Sequence, residues 1–375
     1  QQIYNEFSSG TQDITAIRDF MRKLYYDGSN KLKYLLIIGD ASYDYKNRIA
    51  NNTNFVPTYE SFNSQYETKT YCSDDYYCFL EDAEGYWDEN KKQTLEISVG
   101  RLPVQTADEA NKMVEKLMRY DSPKAFGSWR NTFNFLADDV DESWDTDHIF
   151  HTEAILNVID TSAPVYNSTK IYMDAYKEVL LGGAGAYPEV NRKIDEVMNQ
   201  GTLVFNYIGH GGTAGMAKER VVTVDQIDKW TNLYHMPIFV TATCELSPYD
   251  NPTLRPAGER MLLNPTGGPI ALFTTTRVVY SANNFVLSQA LWLDNLADKN
   301  LSYRLGDIYL RTKNRTSINE NDRRFTILGD PSMQIARAKN KVILDSINDL
   351  SVSEHADTIK ALSLVVGKGH LEKKS

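Results

Sequence analysis

Leu203-Val204-Phe205-Asn206-Tyr207-Ile208-Gly209-His210-Gly211-Gly212 and Ile238-Phe239-Val240-Thr241-Ala242-Thr243-Cys244-Glu245 decide the fold of this chain. Each is a nearly continuous apolar run of strand length that gives way to a polar, flexible turn. Such a run fits a strand covered on both faces, as in the parallel sheet of an α/β protein. One run ends in a histidine and the other in a cysteine, 34 residues further on. The strand ends of an open α/β sheet are where functional groups converge. A thiol becomes a strong nucleophile when an imidazole can take its proton. Gly209, Gly211 and Gly212 around His210 permit close backbone approach, and the Gly211 N–H can face a reacting carbonyl. A lone His or a lone Cys at such a place is more often structural; the two together on one sheet edge point to nucleophilic chemistry.

Outward from this pair, strand-like and helix-like runs alternate. Asp13 to Tyr26 is helical, with Ile14, Ile17, Met21 and Leu24 on one face. Tyr34 to Ile38 is a strand, Asn47 to Gly85 an elaborate surface insertion rich in Asn, Asp, Tyr and Ser, and Leu95 to Val99 a further strand. Thr106 with Glu109 makes a capping box before the next helix. Ser122 to Ser128, with Pro and Gly, separates two lobes. Beyond it the pattern restarts: strand Thr132 to Leu136, helix Asp147 to Asp160, strand Lys170 to Met173, and helix Pro188 to Gln200. After the two deciding strands come a strand at Pro269 to Phe273 and helices at Asn284 to Ala297 and Tyr303 to Asn314. The expectation is an α/β fold of two lobes, residues 1–125 and 126–338, with mostly parallel sheets flanked by helices. Residues 339–375 read as a strand-rich tail that begins a β module.

The chain has 375 residues, 42% hydrophobic and 24% charged, the composition of a soluble globular protein. A net charge of −10 argues against nucleic acid or an anionic membrane as the main partner. No apolar run has the length of a membrane helix. The N-terminus lacks the pattern of a signal peptide, and the chain reads as a domain cut from something longer. Of the three cysteines, Cys72 and Cys78 lie close in sequence; a disulfide and two free thiols both fit, and pairing would leave Cys244 as the odd thiol.

Asp138 follows the strand before the His–Cys pair and is placed to orient His210, as carboxylates orient imidazoles in triads; a loop acid is the plainer reading. Zinc is disfavoured: His148 and His151 are three apart on a helix, but no H-E-x-x-H occurs. Ser73-Asp74-Asp75 and the acids between Asp138 and Asp147 offer hard oxygens for structural calcium, against the plainer reading of solvated acidic loops. No cofactor is required and no metal ligand set is assigned. Gly182-Gly183-Ala184-Gly185 lacks a following Lys-Ser/Thr and reads as a flexible loop.

Six motifs, in order, resemble the gingipain-like cysteine peptidases of peptidase family C25: Leu35-Leu36-Ile37-Ile38-Gly39-Asp40, Ser73-Asp74-Asp75-Tyr76, Val99-Gly100-Arg101, Asn206 to Gly212, Ala242-Thr243-Cys244 and Leu328-Gly329-Asp330-Pro331-Ser332. The resemblance spans residues 13 to 338. It implies a caspase-like α/β catalytic lobe beside a smaller lobe, followed by an immunoglobulin-like domain. It also implies Cys244 as nucleophile, His210 as general base and acid, Asp138 as the third member, and the Gly211 and Cys244 backbone N–H groups as oxyanion hole. Substrate contacts are expected at Asp147, Glu245, Thr276, Arg277 and Val278. The arginine-specific gingipains have Glu where this chain has Asp138, and the spacing from Asp147 to His151 departs from theirs, so Arg specificity is not implied.

Within the family, Ile3 to Gly10, Gly39 to Asp44, Pro57-Thr58-Tyr59-Glu60-Ser61 and Phe273-Thr274-Thr275-Thr276-Arg277 are similar to the sortases of the type IX secretion system. That similarity implies cleavage of a C-terminal signal from exported proteins and their transfer to a lipopolysaccharide amine. It implies a location on the outer face of the bacterial outer membrane, among other outer-membrane proteins of the secretion system. An endopeptidase without transfer and an inactive adhesion or scaffold module are the alternatives.

Overall fold

A computed structural model describes the chain except residues 83, 86–92, 142–145, 297–302, 317, 318, 339, 354–357, 374 and 375. Eight strands lie in one sheet. They are β1 (Tyr34–Ile38), β2 (Ser98–Leu102), β3 (Thr132–Ala137), β4 (Asn167–Tyr172), β5 (Val204–Ile208), β6 (Ile238–Ala242), β7 (Ala271–Thr275) and β8 (Phe325–Leu328). Their spatial order is β1-β2-β8-β7-β6-β5-β3-β4. Every neighbouring pair is parallel except β7 with β8. The mostly parallel α/β sheet expected from the sequence is therefore present, as two parallel blocks of opposite direction. Residues 1–125 contribute two strands and residues 126–338 six to this one continuous sheet. All residues of β5, β6, β7 and β8 are buried, the physical reason their sequences lack polar alternation.

Helices cover the sheet: α1 (Ile14–Asp27), α2 (Ala107–Tyr120), α3 (Asp147–Ser162), α4 (Pro188–Gln200), α5 (Ser281–Leu291) and α6 (Leu305–Thr316). Asp13 caps α1 by accepting the Thr15 N–H, and Thr106 caps α2 by accepting the Glu109 N–H. Pro188 opens α4 and Gly201, at φ +88°, closes it. Among the described residues, no helix is long and apolar enough to cross a membrane.

β2 begins three residues later than Leu95. Leu95 and Ile97 are buried, but the Leu95 backbone bonds the Asn314 side chain in both directions, at 2.8 and 2.9 Å, instead of a neighbouring strand. Gly182 and Gly183 form the turn of a short hairpin, Val179–Leu181 with Ala184–Ala186. Cys72 and Cys78 are free thiols, each fully buried, and with Tyr71, Tyr77, Phe79 and Leu80 they carry this part of the expected surface insertion into the core.

Asp74 and Asp75, read above as offering oxygens to calcium, are each taken by a cation of the chain. Asp74 pairs with Arg101, and Asp75 with Lys313 and the Tyr309 hydroxyl. Lys116 is also fully buried. Burial pulls its pKa down to about 7, yet its ammonium has the Leu262, Gly267 and Pro269 carbonyls as acceptors at 2.6, 2.8 and 3.2 Å. Three acceptors match the three hydrogens of the charged form, so the geometry opposes the desolvation.

Residues 1–335 make one compact unit and 336–375 a second. The second is a three-stranded antiparallel sheet of Asn340–Ile347, Leu350–Ser351 and Gly367–Lys373.

Candidate active site

Register alone brings the histidine and the cysteine to one edge. β5 and β6 are parallel neighbours with Ile208 opposite Ala242, so Gly209-His210 and Thr243-Cys244 leave the sheet side by side. Both segments line one cleft. β3 runs parallel on the other side of β5, with Ala137 opposite Ile208, and delivers Asp138 to the same edge.

Cys244 is partly exposed. Its Sγ accepts the Val279 N–H at 3.5 Å. Burial pushes the thiol pKa above its ordinary value, and the Val279 N–H draws it back down. Glu245 follows in the left-handed region at φ +46°, a conformation that costs a non-glycine residue about 1–3 kcal/mol and is common beside functional groups. Its N–H donates to the Arg277 carbonyl at 3.3 Å.

The His210 segment is built by close approach. The Asp138 carboxylate accepts the His210 backbone N–H at 2.6 Å. The Tyr207 hydroxyl is shared between Asp138 Oδ2 at 3.0 Å and the His210 carbonyl at 2.6 Å. Asp138 thus fixes the main chain of His210 rather than its ring. Burial, then the charges of Asp139 and Glu219, push its carboxyl up to about 8, against the bonds from His210 and Tyr207.

Gly211 pairs with Met216 in a tight hairpin. A Cβ at Gly211 would fall 2.4 Å from Thr243 Oγ1 and 3.3 Å from Thr243 Cγ2. The Gly211→Ala variant is therefore expected to lose at least tenfold in activity and about 1–3 kcal/mol in stability, read by turnover and by thermal unfolding. Adding Thr243→Ala, which removes both Thr243 atoms and leaves only the milder approach to the Gly215 carbonyl oxygen at 3.2 Å, should recover much of the loss. An alanine tolerated at full activity would show that the two loops are not held at this distance.

The expected substrate contacts distribute differently. Asp147 is exposed on the first turn of α3, while His148 and His151 behind it line the cleft. Glu245 and Val278 are half-buried. Thr276 is fully buried, its hydroxyl donating to the Cys72 and Arg324 carbonyls. Arg277 grips Asp250 with both terminal nitrogens and reaches the Cys72 sulfur. Thr276 and Arg277 are thus committed to the interior: pairing with the neighbouring segment continues one residue past β7, the Thr276 N–H donating to the Arg324 carbonyl at 2.8 Å. The cleft wall begins at Val279 and Tyr280 and continues along α5 with Asn284 and Phe285. His148 meets His210 edge-on at 5.5 Å between ring centres. His151 stacks on Phe285 at 4.1 Å, and burial lowers its pKa. In the sequence both histidines stand out only by a spacing that metal ligands use. Their signal was the spacing that places them on the buried face of α3 with Thr152, Ile155, Leu156 and Ile159.

A cysteine-bearing strand end thus lies beside a histidine-bearing one, and the chain belongs to peptidase family C25, matching its family model over residues 1–336. It is a gingipain-family cysteine peptidase by fold and family. Among solved structures it is similar to the Arg-specific cysteine proteinase gingipain R, RgpB, at 17% identity and TM-score 0.66, covering 91% of this chain and 73% of that one. The complex of Porphyromonas gingivalis RgpB pro- and mature domains matches at 15% identity and TM-score 0.66, over 91% and 74%. Dimeric latent PorU from Porphyromonas gingivalis matches at 22% identity and TM-score 0.47, over all of this chain and 31% of that one. At these identities the likeness to the two RgpB structures is one of fold. No curated protein sequence matches the chain.

Proposed function

We propose that the cleft is a peptidase active site in which Cys244 is the nucleophile and His210 the general base and acid. The observation that carries the reading is the register that sets Cys244 and His210 side by side at the mouth of one cleft. His210 takes the thiol proton and the sulfur attacks the peptide carbonyl. The Gly211 and Cys244 N–H groups receive the oxyanion, a contribution of about 3–4 kcal/mol per donor. The C–N bond breaks as His210 returns the proton to the leaving amine, and a thioester remains on Cys244. In this reading Asp138 is a positioning residue that holds the His210 main chain.

The second half-reaction is amine capture: an amine attacks the thioester, the thiol is released, and a new amide forms. The sequence motifs at residues 3–10, 39–44, 57–61 and 273–277, similar to those of secretion-system sortases, support this fate. The substrates are then exported proteins bearing a C-terminal secretion signal, the acceptor a lipopolysaccharide amine, and the site of action the bacterial outer surface. A signal-bearing substrate is incubated with the enzyme, with and without an amine acceptor, and followed by mass spectrometry. The thioester on Cys244 and an amine-dependent conjugate are expected. Hydrolysed product alone, at any acceptor concentration, assigns a plain endopeptidase; an unmodified Cys244 and intact substrate reject the peptidase assignment.

A further inference from the structure

Asp138 and Asp139 follow β3, and Glu219 lies in the loop after the Gly211–Met216 hairpin. Each places a carboxylate oxygen within 4.8 Å of the other two. Asp138 is 1% and Asp139 8% exposed. On each of the three, one oxygen (Asp138 Oδ1, Asp139 Oδ1, Glu219 Oε2) is buried and has no hydrogen-bond donor. The remaining aspartate oxygens are engaged: Asp138 Oδ2 by His210 N–H and Tyr207, and Asp139 Oδ2 by the Tyr187 hydroxyl at 2.9 Å. Lys218 is spent on Asp141, at 3.0 Å.

Buried carboxylate oxygens without donors are costly, and natural proteins leave few of them. Three in one place, all acids, repel each other as well. We propose that Asp138, Asp139 and Glu219 form a binding site for a hard divalent cation, calcium by class. The chemistry selects the ion: three carboxylates offer only oxygen, with no nitrogen or sulfur to favour zinc or copper. Oxygens bound to one calcium at about 2.4 Å lie at most about 4.8 Å apart, and the three carboxylates meet that limit without rearrangement.

The position gives the site a consequence. Asp138 holds the His210 N–H, and Ala217, two residues before Glu219, donates its N–H to the His210 carbonyl at 2.8 Å. A cation shared by Asp138 and Glu219 ties together the two segments that grip His210 from either side. It also keeps Asp138 ionised, the form that accepts both bonds.

The test uses the whole chain, treated with chelator and then titrated with calcium alone, and reads thermal unfolding rather than activity. At about a hundredfold excess over Kd the melting temperature is expected to rise by roughly 5 °C. The variants Asp139→Asn and Glu219→Gln keep side-chain shape but remove charge, and should lose that rise. No rise in the wild type overturns the proposal, as does an equal rise in both variants. A wild type indifferent to calcium whose Glu219→Gln variant melts higher shows shared protons in place of a cation, and also overturns it.

Discussion

Cys244→Ala is expected to lower peptidase turnover by at least about 10⁴-fold, the scale on which covalent catalysis fails when its nucleophile is removed. Stability should change by no more than about 1 kcal/mol. The asymmetry follows from what the thiol touches. Its sulfur accepts the Val279 N–H at 3.5 Å, its S–H donates weakly to the Val279 carbonyl at 3.7 Å, and it packs beside Val279, Leu287 and Phe325; a methyl group keeps most of that packing. His210→Ala should produce a loss of the same order in turnover, because nucleophile and base act as one unit. The double variant should then be little worse than either single one. Additive losses would show that the two side chains work independently and would remove the Cys–His assignment. A Cys244→Ala enzyme retaining full turnover would move the chemistry elsewhere altogether. Alkylation adds a separate reading: burial favours the neutral thiol of Cys244 at rest, so the reactive thiolate depends on His210 and substrate rather than on a permanently lowered pKa.

The parts of this site that can be read from sequence are those fixed by local pattern. β5, β6 and β7 are short apolar runs bounded by turn residues, and α4 carries Pro at its start and Gly at its end. Strand ends then follow, and with them Cys244, His210 and Asp138. What escapes is what long-range pairing decides. β8 is four residues flanked by Arg323-Arg324 and Gly329, and nothing local says that it enters the middle of the sheet against β7 and β2. Thr274-Thr275-Thr276-Arg277 reads as a polar exit from a strand, yet the threonines are fully buried because β7 has partners on both sides. Asp74 and Asp75 read as loop acids because their cations, Arg101 and Lys313, are 27 and 238 residues away. Side-chain burial in those cases is a property of the assembled sheet and leaves no periodic trace in the chain.

The other large effect lies in that buried charge. Arg101→Met is expected to destabilise the protein by about 3–5 kcal/mol, a large share of the 5–15 kcal/mol typical of a folded domain. Arg101 sits on β2, opposite Leu328 of β8, where the first two strands join the rest of the sheet. It is fully buried and forms five hydrogen bonds: two to the Asp74 carboxylate, both at 2.7 Å, and one each to the Gly39, Val56 and Pro57 carbonyls at 2.7, 2.9 and 3.2 Å. The Tyr249 ring packs on the guanidinium at 4.9 Å. Five donors meet five bonds, so the desolvated cation is fully satisfied. Removing it leaves Asp74, itself 1% exposed, with the Thr58 hydroxyl at 2.9 Å as its side-chain donor among the described residues; the Gly39 and Val56 carbonyls lose their donor, while the Pro57 carbonyl keeps the Tyr77 hydroxyl. Arg101→Lys should fail in the same direction, because a point charge cannot reproduce a bidentate fork. Replacing Asp74 by Leu alongside Arg101→Met removes the stranded charge, so the double variant should be more stable than Arg101→Met alone. Denaturant unfolding of the wild type, Arg101→Met, Asp74→Leu and the double variant measures the coupling. A double variant as unstable as the sum of the singles would show that the pair itself is not what holds this joint, and would shift the weight to the three carbonyls.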